Sequence, residues 1–150
     1  MVIRLSDEAR RYLAAFEEMT GATAVDCLPE NEAVTFLVQP DDMGTAIGPD
    51  GRTVTSLEER FGRDVTLIEH ADIPEIFVAN ALSPAAVYDV EVVADEDEET
   101  DVAIATVDQD DMGVAIGTDG HRIERAKRLA ARHFDIDDIQ LTAGEDERRA

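Results

Sequence analysis

Cysteine occurs once in the 150 residues, at Cys27, tryptophan is absent, and Lys127 is the single lysine. One thiol allows neither an internal disulfide nor a cysteine-based zinc site, and it fits a reducing compartment. No apolar run approaches the roughly 18 residues of a membrane span, and the opening stretch MVIRLSDEAR has no signal-peptide core. The expectation is a soluble, cytoplasmic protein with no membrane partner. Basic residues are scarce as well, with 13 Lys and Arg against 35 Asp and Glu, a formal charge of −22. Hydrophobic residues still make up 44% of the chain, too many for an unfolded acidic tail, so the acidity belongs to a folded surface. A carboxylate-rich surface almost without lysine reads as that of a halophile's protein, because carboxylates hold water and ions in concentrated salt and high net charge maintains solubility.

What is present is an internal repeat. Offsetting the chain by 69 residues aligns DDMGTAIGPDGRTV, starting at Asp41, with DDMGVAIGTDGHRI, starting at Asp110, with nine identities in fourteen positions. A repeat of this length implies duplication of a small fold, and domains of about 70 residues lie near the lower limit for a self-sufficient core. Residues 1–70 and 71–150 are therefore read as two modules.

In the first module Ser6 is placed to cap a helix whose first turn carries Asp7 and Glu8, with Ala9, Leu13 and Phe16 on one face and Gly21 as its stop. Two β-prone runs follow at residues 23–28 and 33–39, then a short helix ending at Gly48, a second helix with Val54, Leu57 and Phe61 at helical spacing, and a strand at residues 65–68. The second module repeats the order α-β-β-α-α-β, with a helix at residues 74–82, strands at 87–93 and 102–107, helices at 111–116 and 120–134, and a strand at 136–142. Its first helix, with Ile76, Phe77, Val78, Ala79, Ala81 and Leu82, is apolar almost all round. That predicts burial on more than one side and two modules packed as one rigid unit. The acidic run at residues 95–101 falls in the expected strand-to-strand loop.

Each module places Ile-Gly-x-x-Gly between its two adjacent helices, as Ile47, Gly48, Pro49, Asp50, Gly51 and as Ile116, Gly117, Thr118, Asp119, Gly120. Glycine permits the tight turn. Lacking a side chain, it also lets another backbone approach the next helix N-terminus, where amides and the helix dipole favour phosphate. In this element order the residues resemble the KH domain in its type II arrangement. A chain of two such modules resembles the archaeal NusA-like transcription factors. The resemblance implies an α+β fold of two tandem type II KH modules and single-stranded RNA, the nascent transcript, as partner. It also implies a role in transcription termination or antitermination, with no enzymatic activity, cofactor or metal. It makes Gly48, Pro49, Asp50 and Gly51, and Gly117, Thr118, Asp119 and Gly120, the loops that clamp RNA backbone, with an apolar floor at Ile47, Val54, Ile116 and Ile123.

Charge distribution adds to this. Between His121 and His133 stand Arg122, Arg125, Lys127, Arg128 and Arg132 against the single acid Glu124. His121, Arg125, Arg128 and Arg132 fall on one helical stripe opposite Ile123, Ala126 and Ala130; the corresponding stripe in the first module is Arg52, Ser56, Glu59 and Arg63. The stripe is either a solvated face or a contact surface for phosphate or an acidic partner. Asp50 and Asp119 cut the other way: each repels phosphate, or caps the following helix and occupies the amides a phosphate needs. They keep open an alternative in which the fold docks on RNA polymerase or the ribosome without strong RNA affinity.

Enzymatic readings find no support. The spacing of Gly113, Gly117 and Gly120 is neither the dinucleotide fingerprint nor a P-loop. His70, His121 and His133 have no ligand-spaced partners and read as polar surface residues. The repeated pairs Asp41-Asp42 and Asp110-Asp111 read as helix caps, and Cys27 as buried.

The charge also predicts that folding needs salt, since like charges repel over about 10 Å at ~0.1 M and only about 3 Å at ~1 M. Circular dichroism melts across a potassium chloride series should show the midpoint rising steeply with salt. A cooperative, high-melting state in dilute buffer would remove the halophile reading.

Overall fold

A computed structural model describes residues 5–30, 32–94 and 101–145. The acidic stretch at residues 95–100 lies outside the described residues. The chain divides between Ala71 and Asp72 into two compact units. Each holds one three-stranded sheet.

In the first unit, α1 covers Asp7–Thr20. Ser6 Oγ accepts the Ala9 N–H at 3.1 Å, and Gly21 ends the helix in the left-handed conformation, so the sequence signals act as read. Strands β1 (Ala24–Pro29) and β2 (Ala33–Val38) pair antiparallel. After α2 (Met43–Ile47) and α3 (Arg52–Phe61), β3 (Asp64–Glu69) returns parallel to β2, which makes β2 the central strand. That position suits its sequence, apolar except for Thr35, in which every residue from Val34 onward is buried. Aromatic rings fill this core. Phe16 stacks on Phe36 with centroids 4.4 Å apart, and Phe61 lies edge-on to Tyr12 at 4.9 Å.

The second unit repeats the order with α4 (Pro74–Ala81), β4 (Val87–Ala94), β5 (Asp101–Asp108), α5 (Met112–Ile116), α6 (His121–Phe134) and β6 (Ile136–Gly144). Pairing is again antiparallel for β4 with β5 and parallel for β5 with β6. Alternation along β5 buries Ala103, Ala105 and Val107, and Ala115, Ala126 and Ala130 face them from the helices. Small side chains line much of this core, beside the buried Phe77, which meets Phe134 edge-on at 4.9 Å.

Three details differ from expectation. Helix α4 buries Phe77, Val78 and Ala81, but Ile73 and Ile76 are about half exposed, so an apolar sequence all round does not bury the whole circumference. His133 is half-buried, with its ring 5.5 Å from that of Phe77, and is no simple surface residue. The third is a shared irregularity: both first strands bulge at the same place, with register shifts between Ala24 and Asp26 and between Val87 and Asp89. At the first bulge Asp26 is wholly buried, its Oδ1 accepting the Cys27 N–H at 2.8 Å.

Because Phe36 touches both Phe16 and Phe61, Phe36→Ala should cost about 3–5 kcal/mol. That is much of what a unit of this size holds at ~0.1 kcal/mol per residue. Denaturant titration monitored in the first unit should show its midpoint collapse, whereas Phe36→Leu should shift it far less.

Candidate nucleic-acid interface

In both units the two adjacent helices are joined by a turn of nearly identical backbone. Gly48 has φ 77° and ψ 169°, Asp50 54° and 26°, and Gly51 73° and 15°. The second unit has 80° and 171° at Gly117, 54° and 23° at Asp119, and 77° and 12° at Gly120. Three of the four residues in each turn therefore have positive φ. This accounts for the aspartates, since after glycine, Asp and Asn enter the left-handed region most readily. The capping role considered for them is not what is found, because no side chain caps α3 or α6.

The two glycines of each turn do different work. A Cβ at Gly48 would lie 2.8 Å from the Thr53 backbone nitrogen, and one at Gly117 would lie 2.9 Å from that of Arg122. The first glycine is thus a packing requirement of the turn itself. A Cβ at Gly51 would meet only Val54 Cγ1, at 4.0 Å, and one at Gly120 would meet nothing within 4 Å. The last glycine therefore faces open space and leaves bare backbone accessible. Its amide is used inside the turn, Gly51 donating to Gly48 O and Gly120 to Gly117 O, each at 3.1 Å.

Next to the turns, Ile47 and Ile116 are each 41% exposed, as apolar contacts beside the loops. Val54 is half-buried and Ile123 belongs to the core. Pro49, Asp50, Arg52, Thr118, Asp119 and His121 are exposed.

The basic stripe is less available than its sequence suggests. Arg122 Nη1 donates to Val114 O, tying α6 to α5. Lys127 Nζ lies 3.3 Å from Asp138 Oδ1 and 3.6 Å from Glu124 Oε1. Partial burial lowers the Lys127 pKa, but the hydrogen bond and charge of Asp138, then those of Glu124, outweigh it and hold the ammonium above its ordinary value. Arg125 and Arg132 are half-buried, and both are already engaged. Arg128 and His121 remain exposed. In the first unit Arg63 pairs with Glu8 at 3.2 Å and lies over the Tyr12 ring, while Arg52 stays exposed. A cleft of about 400 Å³ between α3 and β3 is lined by Glu32, Glu58, Gly62, Arg63 and Asp64, predominantly the wrong charge for phosphate.

The repeated aspartate pairs are not side-chain caps of the short helices. No side chain caps α2 or α5; instead Asp42 Oδ2 accepts the Thr23 N–H and Asp111 Oδ2 accepts the Ala86 N–H, each at 2.8 Å. Among the described residues no three His, Cys, Asp or Glu side chains are grouped to hold a metal ion, and no helix is long and apolar enough to cross a membrane.

These features, a helix-Gly-x-x-Gly-helix turn beside a three-stranded sheet of mixed pairing, define the KH class. Residues 74–143 match the sequence model of the NusA-like second KH domain. The chain is 59% identical over 95% of its length to the whole of the probable transcription termination protein NusA of Halobacterium salinarum. It is 54% identical over 94% of its length to 99% of the protein of that description from Halococcus morrhuae. The crystal structure of APE1850 superposes with a TM-score of 0.79 at 27% identity, covering 92% of this chain and all of that one. The chain belongs to the family of archaeal NusA-like transcription termination proteins. The halophilic sources of the first two relatives agree with the reading of its composition.

The division of labour between the glycines is measurable. Gly117→Ala combines a close contact with a left-handed φ and should cost more than the 1–3 kcal/mol of backbone strain alone, whereas Gly120→Ala should cost only about 1–2 kcal/mol. Urea titrations of the two variants would rank them. Equal losses would contradict the distinction.

Proposed function

We propose that the protein is a non-enzymatic factor, without cofactor or metal, that binds single-stranded RNA of the nascent transcript in the cytoplasm and acts in termination or antitermination. In this reading residues 1–70 and 71–150 are two type II KH modules. The observation that carries the proposal is the duplicated turn: its last glycine faces open space, and an exposed isoleucine stands just before its first. A phosphate can approach the backbone at Gly51 or Gly120 while a base lies against Ile47 or Ile116.

Gly48 and Gly117 then shape the clamps. Pro49, Asp50, Thr118 and Asp119 line their outer edge, Arg52 and Arg128 supply the charge, and His121 and Arg125 lie alongside. Arg122 contributes by holding α5 to α6. At high salt the electrostatic part of the affinity is small, so stacking and base-edge contacts carry most of it. RNA polymerase is the further partner in this reading. The exposed Asp50 and Asp119 favour the second reading, a protein-docking module with weak RNA affinity, and the same experiment separates the two.

The test is titration with a short single-stranded RNA pool at ~1 M potassium chloride, with double-stranded RNA as control. Gly120→Asp should weaken binding at least about tenfold with the fold retained, since aspartate tolerates the left-handed region and adds bulk and charge where a phosphate comes close. Arg128→Ala should lower the salt slope by roughly one unit. Absence of single-strand binding, or no response to Gly120→Asp in a folded protein, would favour the docking module.

A further inference from the structure

We propose that Asp42 and Asp111 are positioning residues that lock each glycine turn to its sheet, so that the turn meets RNA already formed; the inference rests on the RNA-binding reading. In each unit the residue just before the first strand is gripped twice by the turn leading into the short helix. The Thr23 N–H donates to Asp42 Oδ2 at 2.8 Å, and the Thr23 carbonyl accepts the Gln39 N–H at 3.0 Å. The Ala86 N–H donates to Asp111 Oδ2 at 2.8 Å, and the Ala86 carbonyl accepts the Asp108 N–H at 2.9 Å.

The aspartate contact spans 19 residues in one unit and 25 in the other. The geometry is therefore the same although the intervening chain differs in length, which a local capping pattern could not produce. It also gives a reason for the second aspartate of the Asp-Asp-Met-Gly that the two units share.

From each anchor to the first glycine of the turn the chain passes through a helix of only five residues, Met43–Ile47 or Met112–Ile116. At 1.5 Å per residue such a helix is about 7.5 Å long and too short to be stable by itself. Its placement comes from the fully buried Ala46 or Ala115 within it and from what holds its ends. One end is the close approach of Gly48 to Thr53, or of Gly117 to Arg122; the other is the aspartate. A carboxylate suits this task because it only accepts, and its charge strengthens a hydrogen bond from a backbone N–H.

The experiment compares Asp111→Ala with Asp111→Asn in the full chain at ~1 M potassium chloride. Asparagine keeps a carbonyl oxygen able to accept the Ala86 N–H; alanine does not. Without RNA, residue-resolved hydrogen exchange should show the Ala86, Gly117 and Gly120 amides losing protection about tenfold in the alanine variant. The Ala126 and Ala130 amides of α6 should be unchanged, and the asparagine variant should resemble the parent. RNA affinity should fall about five- to tenfold for alanine and stay within about twofold for asparagine, with the salt slope unchanged in both because no phosphate contact is lost.

Unchanged turn amides in the alanine variant overturn the proposal. So does an equal loss of protection throughout α6, which would mark a general stability effect, or an asparagine variant as impaired as the alanine one. Loosened turn amides with undiminished RNA affinity overturn it as well. A parent protein that binds no RNA defeats the functional reading instead, while exchange still decides whether the aspartate holds the turn. If Asp111→Ala does not fold, Asp42→Ala and Asp42→Asn, read at Thr23, Gly48 and Gly51, give the same decision in the first unit.

Discussion

Everything proposed for this protein depends on one steric constraint: the chain must reverse between two helices with almost no room at the first position of the turn. Gly48 lies against Thr53 and Gly117 against Arg122 so closely that no Cβ fits. Both glycines also have φ near +80°, where side chains are disfavoured in any case. With that contact made, the chain passes through Pro49 or Thr118, which have no positive φ, and then takes left-handed conformations at the aspartate and the last glycine. The backbone at the last glycine is then left uncovered. A turn of this kind is defined by backbone shape more than by side-chain chemistry, which suits recognition of a sugar-phosphate chain.

Around this common turn the two units are built from different materials. The first fills its core with stacked and edge-on aromatic rings, the second largely with alanine, isoleucine and valine from a longer sheet and a longer last helix, beside the edge-on pair of Phe77 and Phe134. Alanine lets a helix approach a sheet closely and is among the strongest helix formers, so α6 gains length where α3 relies on ring packing. Equivalent backbone contacts on dissimilar cores show that the turn and its anchors tolerate wide change elsewhere, provided the packing density is kept.

Electrostatics follow a similar logic. The cations concentrated on α6 do not form a free basic face: Arg122 braces the turn, Lys127 joins α6 to β6 through Asp138, and Arg128 remains exposed. In a chain of charge −22, positive side chains placed beside carboxylates relieve local repulsion as well as offering contacts. At high ionic strength long-range attraction is screened to a few ångström, so shape and short-range contacts at the turns matter more than the net charge would suggest.

The linear pattern determined the element order, the duplication and the place of the turns. Capping at Ser6, alternation along β5 and paired glycines at fixed spacing act within a few residues, so they are legible without a fold. The family could be recognised for the same reason. What only the tertiary structure decided are the choices made between distant groups. Asp42 and Asp111 looked like caps because a carboxylate before a helix usually serves its own turn; here they bind a backbone N–H 19 and 25 residues away. Arg122 stands in the basic cluster after the second turn, but its guanidinium donates to the Val114 carbonyl. Ile76, within an apolar helix, is exposed, whereas Asp26, a charged residue in a strand, is wholly buried. For Asp42, Asp111 and Arg122 the sequence supplied a group with several possible partners, and the packed chain brought one of them within hydrogen-bonding distance.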